Sequence, residues 1–256
     1  MAKIITIANQ KGGSCKTTTA VNLACAIAAT RRKVLLVDMD PQGSATVALQ
    51  QDRSDSGNCL AGSLIADVDV LSVICHYDLG NFDLIPSSDD LTAVPVALYS
   101  DPDADLKLRH VLQKIDDSYD YIFIDTPPSL NLLTINALCA SDYLLIPMPC
   151  EFFALDSLNA LVDLFDKLNC NNRASVELLG IIRVLFDEDM ALASKINTEL
   201  KEQFGSLLLD SIIPFSSRLA ECSSIGRPIM LYDKSSRGAR SYLALAGEIF
   251  RILGSK

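Results

Sequence analysis

The chain has 256 residues, of which 49% are hydrophobic and 21% charged, with 12 glycines and 10 prolines. That balance excludes a disordered, fibrous or low-complexity protein and suffices for one well-buried domain, expected to span 1–256. The net charge of −10 argues against nucleic acid, yet residues 214–256 hold seven cations against three anions, a net of +4 that leaves −14 elsewhere. Charge polarised in this way leaves room for a basic binding face.

The N-terminus enters directly into a short apolar run without the h-region or cleavage site of a leader, and no apolar stretch reaches membrane-spanning length. A soluble, cytoplasmic protein is expected. The eight cysteines at 15, 25, 59, 75, 139, 150, 170 and 222 contain no C-x-x-C pair. They read as small buried hydrophobes in a reducing compartment, not as disulfides or zinc ligands.

In chain order, nearly continuous β-branched runs predict strands at 4–8, 34–37, 82–85, 121–124, 143–146, 178–184 and 207–213. Such runs suit strands covered on both faces of a parallel sheet. Helical patterns fall between them, at 16–29, 106–116, 130–140, 155–168, 190–204 and 239–253. Residues 51–81 and 87–105 read as loops with short helices. The alternation predicts an α/β fold with a single doubly wound, mostly parallel sheet flanked by helices.

The first strand runs into Asn9-Gln10-Lys11-Gly12-Gly13-Ser14-Cys15-Lys16-Thr17-Thr18 and then a helix. Backbone N–H groups of such a loop, with the helix N-terminus, form an anion site for phosphates. Lys16 would reach the β- and γ-phosphates of ATP, and the Thr17 hydroxyl would ligate Mg²⁺. The ordinary Walker A pattern fails, because Gln10 and Cys15 stand at its glycine positions. The deviant form K-G-G-x-x-K-[ST] fits, with Lys11 as its second lysine. Two further strands end in carboxylates, at Asp38-Met39-Asp40-Pro41-Gln42-Gly43 and at Asp125-Thr126-Pro127-Pro128. Ligands bind beyond the carboxyl ends of strands in open α/β sheets, and Asp125 has the place of a Walker B carboxylate.

With these blocks, and with Leu133–Leu138, Ile213-Pro214, Arg218-Leu219 and Pro228–Asp233, the sequence resembles the ParA/Soj chromosome-partitioning ATPases over almost its full length. The resemblance implies a slow ATPase that dimerises around ATP, Lys11 crossing to the partner's phosphates. It implies that Asp40 orients the attacking water, that Thr17, Asp40 and Asp125 serve the Mg²⁺, and that Pro214 and Ser216 lie against adenine. The phosphate cradle would be Lys11, Gly12, Gly13, Ser14, Cys15, Lys16, Thr17 and Thr18. It further implies a nucleoid-associated homodimer that binds double-stranded DNA without sequence preference, released by a ParB-like partner. Arg218, Arg227, Lys234, Arg237 and Arg240 are the candidate DNA contacts.

Two positions depart from the family pattern. Cys15 replaces the usual glycine before the P-loop lysine; a left-handed backbone there would cost a side chain about 1 kcal/mol, and simple tolerance of a small residue is expected. Asp189 stands where relatives often carry arginine, within Asp187-Glu188-Asp189, which would repel a phosphate backbone. A MinD-like membrane-cycling ATPase and an iron-protein-like reductase share the deviant loop and are the alternatives. The first needs a free amphipathic C-terminal helix, whereas 239–253 is expected to pack on the sheet.

Overall fold

The computed structural model describes residues 1–52, 59–151, 154–187 and 189–254; Glu188 and residues 53–58 of the stretch expected as loop lie outside them. Eight strands form one sheet: β1 (Lys3–Ile7), β2 (Val34–Asp38), β3 (Cys75–Tyr77), β4 (Phe82–Ile85), β5 (Tyr121–Asp125), β6 (Tyr143–Pro149), β7 (Glu177–Phe186) and β8 (Leu208–Pro214). Their order is β3-β4-β2-β5-β1-β6-β7-β8, and every pairing is parallel except β3 with β4. The helices are α1 (Lys16–Ala28), α2 (Ser44–Ala48), α3 (Leu60–Ile65), α4 (Val94–Ala97), α5 (Lys107–Leu112), α6 (Leu132–Ala140), α7 (Ala154–Cys170), α8 (Ala191–Phe204), α9 (Ser217–Ser224), α10 (Ile229–Tyr232) and α11 (Arg237–Gly254). The doubly wound, mostly parallel architecture is the one expected.

The near-continuous apolar runs are explained by a sheet covered on both faces. Along β2, Val34 and Leu36 enter one core with α1 and α11, while Leu35 and Val37 enter another with α3, α5 and α6. Along β5, Tyr121 and Phe123 divide from Ile122 and Ile124 in the same way. A third cluster joins β6 and β7 to α7 and α8. Helix α11 buries Tyr242, Leu245, Ala246, Ile249 and Leu253, a stripe at helical spacing, and Ser236 caps its start by accepting from the Ala239 N–H. The expectation that this helix packs on the sheet holds.

Three differences from the sequence reading have local causes. The hairpin strand β3 is missed because it has only three residues; Gly80 closes its turn, where a Cβ would sit 2.5 Å from the Phe82 ring. The helix expected over 106–116 is only α5, with tight 3₁₀ turns on either side, because the chain turns at Ile115 to bury it. Helix α9, with no apolar stripe of length, was not anticipated. Among the cysteines, Cys25, Cys59, Cys139, Cys150 and Cys222 are buried and Cys15 and Cys75 half-buried, as expected, but Cys170 is exposed.

Candidate nucleotide site

Because β1, β2 and β5 lie side by side and parallel, their carboxyl ends bring the three sequence blocks to one edge. Asp38 and Asp125 are paired neighbours in register, and Ile7 pairs Asp125 on the other side. Asn9 anchors the loop after β1: its amide donates to the Pro147 carbonyl at 2.8 Å and its oxygen accepts from the Lys11 N–H at 2.9 Å. A cavity of about 490 Å³ opens here, lined by residues 12–18 and by Asp40, Gln42, Pro128 and Ser223. The structure therefore gathers Gly12, Gly13, Ser14, Cys15, Lys16, Thr17, Thr18 and Asp40 around one space. A Cβ built on Gly12 or Gly13 would meet nothing within 4 Å, so the inner wall of the loop is open.

The loop is held in a strained form. Gly13 has φ of 72° and Cys15, the residue preceding α1, has φ 59° and ψ 28°. This corrects the expectation of simple tolerance: the left-handed backbone is demanded here, and Cys15 meets it at a cost of about 1–2 kcal/mol. Burial pushes the Cys15 thiol up to about 11 despite the adjacent Lys16, so it is held as a thiol, not as a reactive thiolate.

Two residues at this edge, Ser14 and Asp125, carry buried side-chain polar atoms without a well-formed hydrogen bond; Ser63, Ser88 and Arg183 carry such atoms outside the cavity. Ser14 is fully buried and its hydroxyl has no hydrogen-bond partner. Asp125 is fully buried with neither carboxylate oxygen in a well-formed hydrogen bond. Burial, and then the neighbouring Asp38, hold the Asp125 carboxyl well above the ordinary range, only partly offset by the Thr17 hydroxyl and the Lys16 ammonium. Burial also lifts Asp38 to about 6, although it accepts from the Thr46 N–H and hydroxyl at 2.8 and 2.7 Å. Lys16 is buried, its basicity lowered by desolvation and partly restored by Asp125 and Asp40, and its ammonium donates to the Lys11 carbonyl at 3.2 Å. Two adjacent buried carboxylates, a threonine and a buried lysine fit a divalent cation carried by a polyphosphate. Among the described residues no three acidic, His or Cys side chains form a self-sufficient metal site, so a cation here needs oxygens from its ligand.

Asp38 was visible in the sequence as a second carboxylate at period two from Asp40 but was given no role. It acts as a bracket: it accepts from the Asp40 N–H at 3.2 Å and fixes the turn into α2 through Thr46. Ser87 completes the turn by donating to the Asp40 carbonyl. Glu151 had no signal at all, and its carboxylate lies 2.6 Å from the Lys11 ammonium. That pair is solvent-accessible on both sides, a class contributing about 0–1 kcal/mol, so Lys11 is easily released.

The other candidates are not part of this cavity. Pro214 lines a separate cleft beyond β7 and β8 with Phe186, Phe215, Arg237 and Arg240, and Ser216 precedes α9. Asp187 and Asp189 line that same cleft, so these two carboxylates share it with two of the candidate DNA-binding arginines. Arg218 is engaged by Glu221 at 3.1 Å and by Tyr232. Arg227 is exposed, and Lys234 lies in another cavity altogether.

Comparison with known proteins agrees with this geometry. The AAA domain family matches residues 2–178. The sporulation initiation inhibitor protein Soj of Bacillus subtilis is 40% identical over 97% of this chain and 98% of its own length. The chromosome partitioning protein ParA of Myxococcus xanthus is 39% identical over 98% and 89%. This chain belongs to the ParA/Soj family of partitioning ATPases. The ParA/Soj-type architecture is shared with a solved Mycobacterium smegmatis protein, described as cobyrinic acid a,c-diamide synthase with bound ATP analogue and magnesium. That structure superposes with a TM-score of 0.87 at 27% identity, covering 100% of this chain and 97% of its own. No helix among the described residues is long and apolar enough to cross a membrane.

Proposed function

We propose that this chain binds ATP with Mg²⁺ at residues 11–18, hydrolyses it slowly, and in its ATP-bound homodimer holds double-stranded DNA without sequence preference. A ParB-like protein would accelerate hydrolysis and release the DNA, giving a cytoplasmic, nucleoid-associated cycle of chromosome or plasmid partition built from one domain spanning 1–256. The observation that carries the nucleotide reading is the set of unmet groups, Ser14 and Asp125, beside the buried Lys16 in an open loop.

Bound Mg²⁺ would neutralise charge on the β- and γ-phosphate oxygens. Thr17 and Asp125 would hold it, with Asp40 nearby. Lys16 stabilises the transferring phosphoryl group, and the N–H groups of Gly12 to Thr18 cradle the phosphates. Asp40, fixed by Asp38 and Ser87, orients the attacking water. Lys11 exchanges Glu151 for the phosphates of a second subunit, which makes full catalysis contingent on assembly, as an arginine finger would. Pro214 and Ser216, which lie outside the phosphate cavity, would meet the adenine of the bound nucleotide. Arg218, Arg227, Lys234, Arg237 and Arg240 are the proposed DNA contacts, weakened by Asp189 on the cleft of Arg237 and Arg240.

Size-exclusion chromatography with light scattering tests the reading on wild type and Asp40→Ala, with ATP–Mg²⁺, with ADP and without nucleotide. The expected result is a dimer that accumulates in Asp40→Ala only with ATP. An unchanged mass despite bound ATP would remove the cross-subunit role of Lys11. Loss of mobility shift of a long duplex at low salt by the ATP-bound dimer would remove the DNA reading.

A further inference from the structure

A second cavity, of about 720 Å³, lies at the opposite edge of the sheet, among the amino ends of β2, β4 and β5. It is bounded by the end of α1, by the β3–β4 turn, by residues 118–119, and by α10 with the residues after it. Four exposed cations line it: Arg31, Arg32, Lys33 and Lys234. None of the four forms an ion pair among the described residues, although the chain carries ten more negative than positive charges overall. Among the described residues, the one carboxylate lining the cavity, Asp83, is already taken: His76 lies 2.6 Å from one oxygen and the Tyr119 hydroxyl donates to the other at 2.8 Å.

Arg31 adds an independent observation. It closes α1, its N–H donating to the Ala28 carbonyl at 2.9 Å, with a left-handed φ of 64°. Glycine is the comfortable residue after a helix end, and a side chain costs about 1–2 kcal/mol in that conformation. Arg31 thus occupies a backbone form that favours glycine, at the rim of a cavity already rich in cations.

We propose that this cavity docks an acidic peptide segment of a partner protein, one that carries an apolar anchor residue. The floor is apolar, made by Ala28, Phe82, Met230 and Leu231, with Leu79 exposed at its edge. Apolar walls with a few charged groups at the rim suit a short segment of this volume. The carboxyl end of α1 faces the cavity and carries the negative end of the helix dipole, so no anion is held against the floor. Charge contacts come from the long side chains spread along the rim, which match carboxylates spaced along a chain better than the compact charge of a free polyphosphate. The site is remote from the nucleotide loop, which follows the carboxyl end of β1, so the two can be occupied together.

The test is selection of random nonapeptides on the immobilised full-length chain, followed by fluorescence anisotropy of the selected peptides. The variants are Arg32→Glu/Lys33→Glu, which reverses two exposed charges, and Leu79→Ser, which removes the apolar edge; circular dichroism and ATP binding verify that both fold. The expected result is enrichment of peptides pairing Asp and Glu with a large apolar residue. Their affinity should fall about tenfold or more in the charge-reversed variant and with rising salt, and less in Leu79→Ser. Failure to enrich acidic sequences, or equal affinity for the charge-reversed variant, overturns the proposal. So does a result in which tripolyphosphate or a short DNA duplex, and no peptide, senses the charge reversal.

Discussion

The two edges of the sheet are built on opposite terms. At the carboxyl edge, buried groups are left poorly met: the Ser14 hydroxyl has no hydrogen bond and the Asp125 carboxylate no well-formed one, Asp38 and Asp125 crowd each other, and Lys16 is desolvated. At the amino edge, the inner polar groups are satisfied, with Asp83 held by His76 and Tyr119, and the unmet charge stands outside in solvent. An unmet buried group costs about 1–3 kcal/mol, a cost that a bound ligand would offset at this edge. An unpaired exposed cation costs almost nothing and serves as a rim. The first edge is preorganised for a small, highly charged ligand, and the second for something broader and weaker.

The sharpest way to break this contrast is to remove the buried cation. Lys16→Ala should lower ATP hydrolysis by about 100-fold or more, the scale of losing one preorganised group at a developing charge; steady-state phosphate release measures it. A variant that keeps wild-type turnover would show that the buried cation of the carboxyl edge has no catalytic purpose. Asp125→Asn probes the same edge from the stability side. Replacing a buried carboxylate that Thr17 and Lys16 only partly compensate by a neutral amide should raise the Tm of the nucleotide-free chain near pH 8. About 1 kcal/mol corresponds to roughly 2–4 °C in a chain of this size. The same change should weaken Mg²⁺-dependent ATP binding, so that calorimetry finds stability up and affinity down. A fall in both would mean that Asp125 is compensated in the free chain.

Most of the carboxyl edge is legible in the sequence because it is local: a strand, a short loop and a helix start specify the cradle, and strand-end carboxylates converge once the strands are parallel. Fold class follows from the same runs, since β2 and β5 show apolar residues on both faces. Glu151 is not legible, because its meeting with Lys11 depends on how far β6 extends past the predicted end at residue 146. The amino-edge cavity is hidden for a related reason. Arg31 to Lys33 and Lys234 are far apart in the chain and look like ordinary solvated charge until α1, the β3–β4 hairpin and α10 are placed together. Strain at Cys15 is also unreadable from composition, since a small residue is compatible with either backbone form.

The cleft beyond β7 and β8 lies between these extremes, holding Asp187 and Asp189 with Arg237 and Arg240. Asp189→Arg should strengthen binding of the ATP-bound protein to a long duplex and steepen its salt dependence. Replacing an anion by a cation there adds about one to two effective phosphate contacts, which a salt titration of the binding constant resolves. An unchanged slope would place the DNA elsewhere.

The smallest effect isolates strain from chemistry. Cys15→Gly keeps the left-handed backbone and removes the Cβ, relieving about 1–2 kcal/mol of steric cost in the folded loop. Glycine also gains freedom in the unfolded chain, which takes back about 0.5–1 kcal/mol. The net expectation is a stabilisation of about 1 kcal/mol or less, seen as a Tm rise of a few degrees by differential scanning calorimetry. ATP affinity should be unchanged, because the cradle offers backbone N–H groups and the open inner wall at residues 12 and 13 is untouched. A lower Tm would mean that the Cys15 side chain, which packs at the edge of the α1 core, contributes more by contact than its backbone costs. In that outcome the residue before the P-loop lysine is chosen for packing, and strain is an incidental price of the loop's shape.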